Sequence, residues 1–182
     1  GAVAGGVFSL AYAVAQQFIV VGQFEVRLYQ VTDTKEVYPF GVYLATRIIT
    51  TTLMIVGIFL FALQSQGISY EGALYTLIAS LRIFDVVEDV FHGMFQQRGR
   101  LDIAGRAFFF RILTTVISFS IGVFITKNLL ISAAFSFICS MIAMIALTIP
   151  PAKKMSSLRP LFNFQQIFSL LRAMLPMFIG AF

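Results

Sequence analysis

Charge is scarce in this chain. Only 12% of its 182 residues are Asp, Glu, Lys or Arg, and 59% are hydrophobic. Soluble domains carry about a quarter charged residues and are roughly half apolar. A departure in both directions excludes an ordinary soluble globule and points to a protein whose solvent is partly lipid. There is one cysteine, Cys139, so no internal disulfide or cysteine metal cluster can form. It sits in an apolar run, where a small buried or lipid-facing residue is the expected role. There is one histidine, no Gly-x-Ser-x-Gly elbow and no glycine-rich loop opening a helix. Hydrolytic, metal-dependent and ATP-driven chemistry therefore find no support, and neither an enzyme nor a cofactor is expected. No basic region precedes the first apolar run, so no secretory signal is visible. Low-complexity tracts and short repeats are missing too. The chain opens on Gly-Ala-Val-Ala and stops within an apolar segment at Gly180-Ala181-Phe182, so both ends read as cuts.

What is abundant is continuous apolar sequence. A spanning helix needs about 20 mostly apolar residues to cross ~30 Å of hydrocarbon. Five segments qualify, at about 6–24, 43–63, 72–95, 107–126 and 129–149. Pro150-Pro151 is expected to end the fifth, because proline cannot continue a helix. A further segment begins near Ile167. Transmembrane β-strands would alternate over roughly ten residues, and these runs do not. The expected class is thus an all-α membrane protein of five transmembrane helices plus the start of a sixth. Residues 1–165 would form the bundle and 166–182 the start of the next helix.

The net charge is +5, from 13 basic and 8 acidic residues. The basic residues are dispersed among short segments between apolar runs, which argues for topology rather than nucleic-acid binding. Arg27, Lys35, Arg98, Arg100, Arg106, Lys153, Lys154 and Arg159 fall in loops on one side. Only Lys127 falls on the other. Positive residues mark the cytoplasmic side, so residue 1 is expected on the outer side, with at least one helix upstream.

The third segment is anomalous. It carries Arg82, Asp85, Glu88, Asp89 and His92. At 100° per residue these fall within an arc of about 120°, opposite a face of Phe84, Val86, Val87, Val90, Phe91 and Met94. Each charge at membrane depth costs about 2.5 kcal/mol or more, so the stripe must face other helices or a wet cavity. One reading is mutual neutralisation: Arg82 with Asp85, Glu88 with His92, and Asp89 with Arg47 or Arg111 from neighbouring helices. The other is a polar lining for a substrate path. Arginine also grips phosphate in bidentate fashion, and a histidine can titrate near neutral pH. The candidate cavity residues are Arg47, Arg82, Asp85, Glu88, Asp89, His92 and Arg111. Thr46 and Thr50-Thr51-Thr52 are expected to back-bond to carbonyls or pack against neighbours. Gly5, Gly6, Gly57, Gly93 and Gly122 would permit close helix approach.

Three motifs carry a resemblance. Gly5-Gly6-Val7-Phe8-Ser9-Leu10-Ala11-Tyr12-Ala13 is similar to the Ala-Gly-x-Phe-Ser-Leu-Ala start of the second helix of bacterial polysaccharide flippases. Phe24-Glu25-Val26-Arg27-Leu28-Tyr29-Gln30-Val31-Thr32-Asp33 resembles their Phe-Gly-x-Arg-x-Tyr-Gln-x-Thr-Asp loop, with Glu25 where glycine is usual. Gly93-Met94-Phe95-Gln96-Gln97-Arg98-Gly99-Arg100-Leu101-Asp102 resembles their Gln-Arg-x-x-Arg-Leu-Asp turn. The resemblance spans nearly the whole chain. It implies the multidrug/oligosaccharidyl-lipid/polysaccharide exporter fold, with two six-helix lobes around a central cavity and alternating access. This chain would be most of the N-lobe, completed by a first helix and a C-lobe. The implied substrate is an undecaprenyl-diphosphate-linked oligosaccharide, flipped across the bacterial cytoplasmic membrane for cell-surface polysaccharide synthesis. Two other functions fit the residues: a cation-coupled drug or metabolite antiporter, favoured by the acidic stripe and His92, and a membrane scaffold whose charges only pair between helices.

Overall fold

The computed structural model describes residues 2–180, except for the side chains of 2–4 and 7. Among the described residues there are eight helices and no strand: α1 (Ala2–Gln23), α2 (Val26–Thr32), α3 (Phe40–Gln66), α4 (Tyr70–Ser80), α5 (Arg82–Gln97), α6 (Leu101–Thr126), α7 (Leu129–Met155) and α8 (Phe164–Gly180). The expected position of residue 1 and the chain end at 181–182 lie outside the described residues.

Local chemistry sets the boundaries. Ser69 caps α4, its Oγ accepting from the Gly72 amide at 3.0 Å. Asn128 caps α7, its Oδ1 accepting from Leu130 N at 2.9 Å and Ile131 N at 3.2 Å. A side-chain oxygen satisfying first-turn amides is worth about 1 kcal/mol. Lys127, at φ 52°, ends α6 in the left-handed region, so two residues reverse the chain between α6 and α7. These two helices form the most extensive pair in the bundle. Small residues let them close: Ser118 and Gly122 from α6, and Ala133, Ser136 and Ser140 from α7, are all buried. A Cβ at Gly122 would sit 3.0 Å from the Ser132 backbone. Gly93 does the same for α2 on α5, since a Cβ there would lie 2.8 Å from Gln30 Cδ. Gly5 and Gly6, by contrast, have nothing within 4 Å of such a Cβ and mediate no close approach.

Burial is inverted relative to a soluble protein. Arg47, Arg111 and Glu88 are 1%, 2% and 0% exposed, whereas Phe124 and Ile125 are 85% and 72% exposed. In water this would be untenable, because Arg and Glu are almost never fully buried unless paired. In lipid it is the expected arrangement, with apolar side chains outward and polar groups satisfied internally. Among the described residues three helices, α3, α6 and α7, are long and apolar enough to cross a membrane. By length and composition, these apolar helices suggest a membrane protein.

Three sequence expectations are corrected. The segment 72–95 is not one helix: it breaks at Leu81 into α4 and α5. Leu81 keeps right-handed helical angles, but its amide bonds back to Ile78 at 3.2 Å, a three-residue closure that tightens the turn. The stretch 25–38, expected as loop, contains α2. A seven-residue helix is too short to show periodicity. Finally, α7 does not stop at Pro150-Pro151 but runs on to Met155. Each proline removes one i→i−4 bond, and the helix continues for about one more turn beyond the pair.

Between α2 and α3 the chain is tied by Asp33. Its Oδ1 accepts from Val37 N at 2.9 Å, and its Oδ2 from Tyr38 N at 3.1 Å and Tyr43 Oη at 2.8 Å. Burial alone would raise this carboxyl, but the three donors outweigh it and hold it below the usual carboxylate value. A lowered folded value contributes stability above the unfolded value of about 4 and loses it as pH falls through the folded one. Asp33→Asn is therefore expected to lower the thermal midpoint at pH 7, with the gap to the parent chain closing below about pH 4. Unfolding curves in detergent from pH 3 to 7 check this. A gap that stays constant across that range would rule out the charge.

Candidate functional site

The stripe on α5 is built into two separate clusters. In the first, α5 meets α6 and α7. Arg82 Nη1 lies 2.7 Å from Asp85 Oδ2, one turn along the helix. Arg111 from α6 bonds Asp85 Oδ1 through Nη2 and Glu88 Oε2 through Nε, the latter at 2.7 Å. Thr148 of α7 donates to Glu88 Oε1 at 3.1 Å. The result is a chain Arg82–Asp85–Arg111–Glu88–Thr148 with two positive and two negative groups, neutral as a whole. Arg82 also lies over the Tyr12 ring of α1, 4.3 Å from its centroid, a contact that favours a cation over an aromatic face.

In the second cluster, α5 meets α1, α2 and α3. Arg47 of α3 places Nη2 2.6 Å from Asp89 Oδ2. Its Nη1 donates to the carbonyls of Gly22 at 2.6 Å and Gln23 at 2.9 Å. Thr50 donates to the same Gly22 carbonyl at 2.7 Å. These carbonyls are free because α1 ends at two consecutive left-handed residues, Phe24 (φ 43°) and Glu25 (φ 53°). A helix end leaves its last carbonyls without partners, and Arg47 reaches across to take them. Arg27 of α2 stands 3.7 Å from the other Asp89 oxygen and donates to Gln96 Oε1 at 3.0 Å.

Each cluster borders a cavity. One of about 280 Å³ is lined by Phe8, Tyr12, Arg82, Asp85, Arg111 and Phe119, between α1, α5 and α6. The other, about 250 Å³, is lined by Gln23, Glu25, Arg27, Asp89 and Gln96, between α1, α2 and α5. Glu88 has no exposure and is among the lining residues of neither cavity.

All seven candidate residues from the sequence are in or beside these clusters. The expected Arg82–Asp85 pair forms. Of the two partners considered for Asp89, Arg47 takes it, while Arg111 goes to Asp85 and Glu88. The expected Glu88–His92 pair is not made. Both Glu88 oxygens are held by Arg111 and Thr148, and the buried His92 Nε2 has no partner among the described residues. The His92 ring meets Phe108 edge-on, centroids 6.1 Å apart. Sequence reading missed Tyr12, Arg27 and Thr148 as members. Thr46 and Thr52 bond to the carbonyls four residues back, as hydroxyls in helices do, and Thr51 Oγ1 is buried without a partner among the described residues. No group of three or more His, Cys, Asp or Glu among the described residues is placed to hold a metal.

No family model, curated protein or solved structure matches the chain.

Proposed function

We propose that this chain is part of a transporter that flips a lipid-linked oligosaccharide across the bacterial cytoplasmic membrane by alternating access. The observation that carries this reading is the pair of cavities on α5. Charged groups that are otherwise costly in a bilayer border open volume on both of its flanks, and ionised residues at membrane depth mark substrate paths by default. Arginines and the Tyr12 hydroxyl suit a polar, anionic headgroup, while the apolar exterior leaves an isoprenoid tail in the lipid. The three sequence motifs described above point to the same function. The substrate path would be completed by helices beyond those present here.

The test is surface-polymer export by cells depending on the full-length gene. Tyr12→Leu and Arg82→Gln are expected to reduce export about tenfold each, the loss of roughly one charge-assisted contact, at unchanged levels of membrane-inserted protein. Full export from both variants would remove the stripe from the mechanism.

His92 favours a second reading. A buried imidazole with an unpartnered nitrogen suits a cation-coupled antiporter of small molecules. Efflux of small cations that depends on a proton or sodium gradient, with polymer export unaffected, would select that reading. The scaffold reading is favoured by the complete pairing of Asp85, Glu88 and Asp89. It gives no reason for the two cavities.

A further inference from the structure

One arginine stands apart from the others. Between Arg159 and Phe182 the only charged residue is Arg172. It lies at the middle of α8, which runs from Phe164 to Gly180. Its side chain is exposed and has no carboxylate partner among the described residues. Lys35, Arg106, Lys127, Lys153, Lys154 and Arg159 are also exposed and without such a partner. Each of those six, however, stands in a loop or within about two turns of a helix end, where water is close.

Arg172 is not at such an edge. Toward the amino end of α8 Phe168 is 70% exposed, and toward the carboxyl end Ile179 is 65% exposed. Apolar surface therefore continues on both sides of the guanidinium. This stretch of α8 is also firmly packed along the bundle. Ser169 Oγ lies 3.1 Å from Tyr38 Oη, and the Phe178 ring stacks on Phe24 with centroids 4.2 Å apart.

The exposed face has a pattern. Phe168, Arg172, Leu175 and Ile179 are spaced four, three and four residues apart, the repeat by which one helix packs along another. At 100° per residue they share an arc of about 60°. Ile167, Leu170 and Met174, the buried residues of α8, lie on a different face and join the core cluster of Val42, Tyr43 and Leu44 from α3. Ionised side chains within apolar helices pair with one another or face a wet cavity. Inside the bundle Arg47, Arg82 and Arg111 follow that rule, each meeting a carboxylate of α5.

We infer that this seam of α8 is a docking surface for an apolar helix that carries one Asp or Glu at the level of Arg172. Phe168, Leu175 and Ile179 pack against its side chains, and its carboxylate takes the guanidinium. A second copy of residues 1–182 does not supply that acid. Glu36, Asp85, Glu88, Asp89 and Asp102 are paired with arginines, and Asp33 is held by three donors. Glu25 and Glu71 stand at helix ends. The partner is a helix from outside these residues, and the surface does not depend on the transport reading.

The test uses the full chain, labelled at its amino terminus and reconstituted in phosphatidylcholine vesicles with a labelled leucine–alanine host helix. One host carries a central Glu, one a central Lys and one only apolar residues. Energy transfer is expected to show the Glu host binding about fivefold more tightly than the apolar host, the scale of a polar contact between helices in lipid. Arg172→Leu should abolish that preference. Arg172→Glu should reverse it, so that the Lys host binds more tightly. Arg106→Leu, which removes another exposed cation, should leave it within about twofold, since a single screened charge elsewhere adds little. The inference is overturned if the Glu and apolar hosts bind alike, if Arg172→Leu keeps the preference, if Arg106→Leu loses it equally, or if Arg172→Glu does not gain the Lys host. It is also overturned if replacing part of the lipid with phosphatidylglycerol removes the preference from the parent chain, because Arg172 would then serve a lipid headgroup.

Discussion

Arg111→Leu is expected to lower stability by about 3–5 kcal/mol, the usual cost of removing one partner from a buried ion pair. The size follows from what is left behind. Asp85 keeps Arg82 at 2.7 Å, but Glu88, with no exposure, keeps only the Thr148 hydroxyl. A buried carboxylate with one neutral donor is far from satisfied. Glu88→Gln should therefore rescue the Arg111→Leu variant in large part, because a neutral amide can still accept from Thr148 and no longer requires a cation. Unfolding midpoints in detergent for the two single variants and the double check this. Additive losses would mean that the Arg111–Glu88 contact carries no coupling and that the two residues act independently.

Arg47→Met is expected to cost a comparable amount, by a different route. The guanidinium serves three acceptors on two other helices: the Asp89 carboxylate and the carbonyls of Gly22 and Gln23. Methionine fills similar volume and serves none of them. Gly22 retains Thr50, Gln23 loses its donor, and Asp89 is left with Arg27 at 3.7 Å. Arg47→Lys should recover less than half of the loss, since an ammonium is a point charge without the fork that spans carboxylate and carbonyls together. The same unfolding measurement separates these outcomes. Full rescue by lysine would show that charge alone matters, and not the capping of α1.

The sequence revealed the apolar segments because lipid imposes a length and a composition that can be read without partners. It also revealed the charged arc on the third segment, since helical phase is local information. Pairing was legible from spacing on one helix, as with Arg82 and Asp85, and between helices only as a choice of two arginines for Asp89, of which Arg47 takes it. Glu88 illustrates the limit. His92 stands at a favourable i,i+4 spacing, yet Arg111 and Thr148, 23 and 60 residues away, take both oxygens. An arginine offering several donors at the right depth outcompetes a neutral ring on the same helix, and depth is set by packing. Tyr12 and Thr148 were invisible for the same reason, as single polar residues in apolar runs whose neighbours are decided by how helices cross.

The chain of contacts through Glu88 also has a direction in time. Asp85, Glu88 and Asp89 leave the ribosome before Arg111, and Arg111 before Thr148. When α5 first reaches the translocon, Arg82 and Arg47 are already made, but nothing yet exists to neutralise Glu88. Neutralisation of Glu88 by Arg111 therefore has to wait until α6 arrives. The apolar α6–α7 hairpin would then carry in the cation that allows its predecessor to settle.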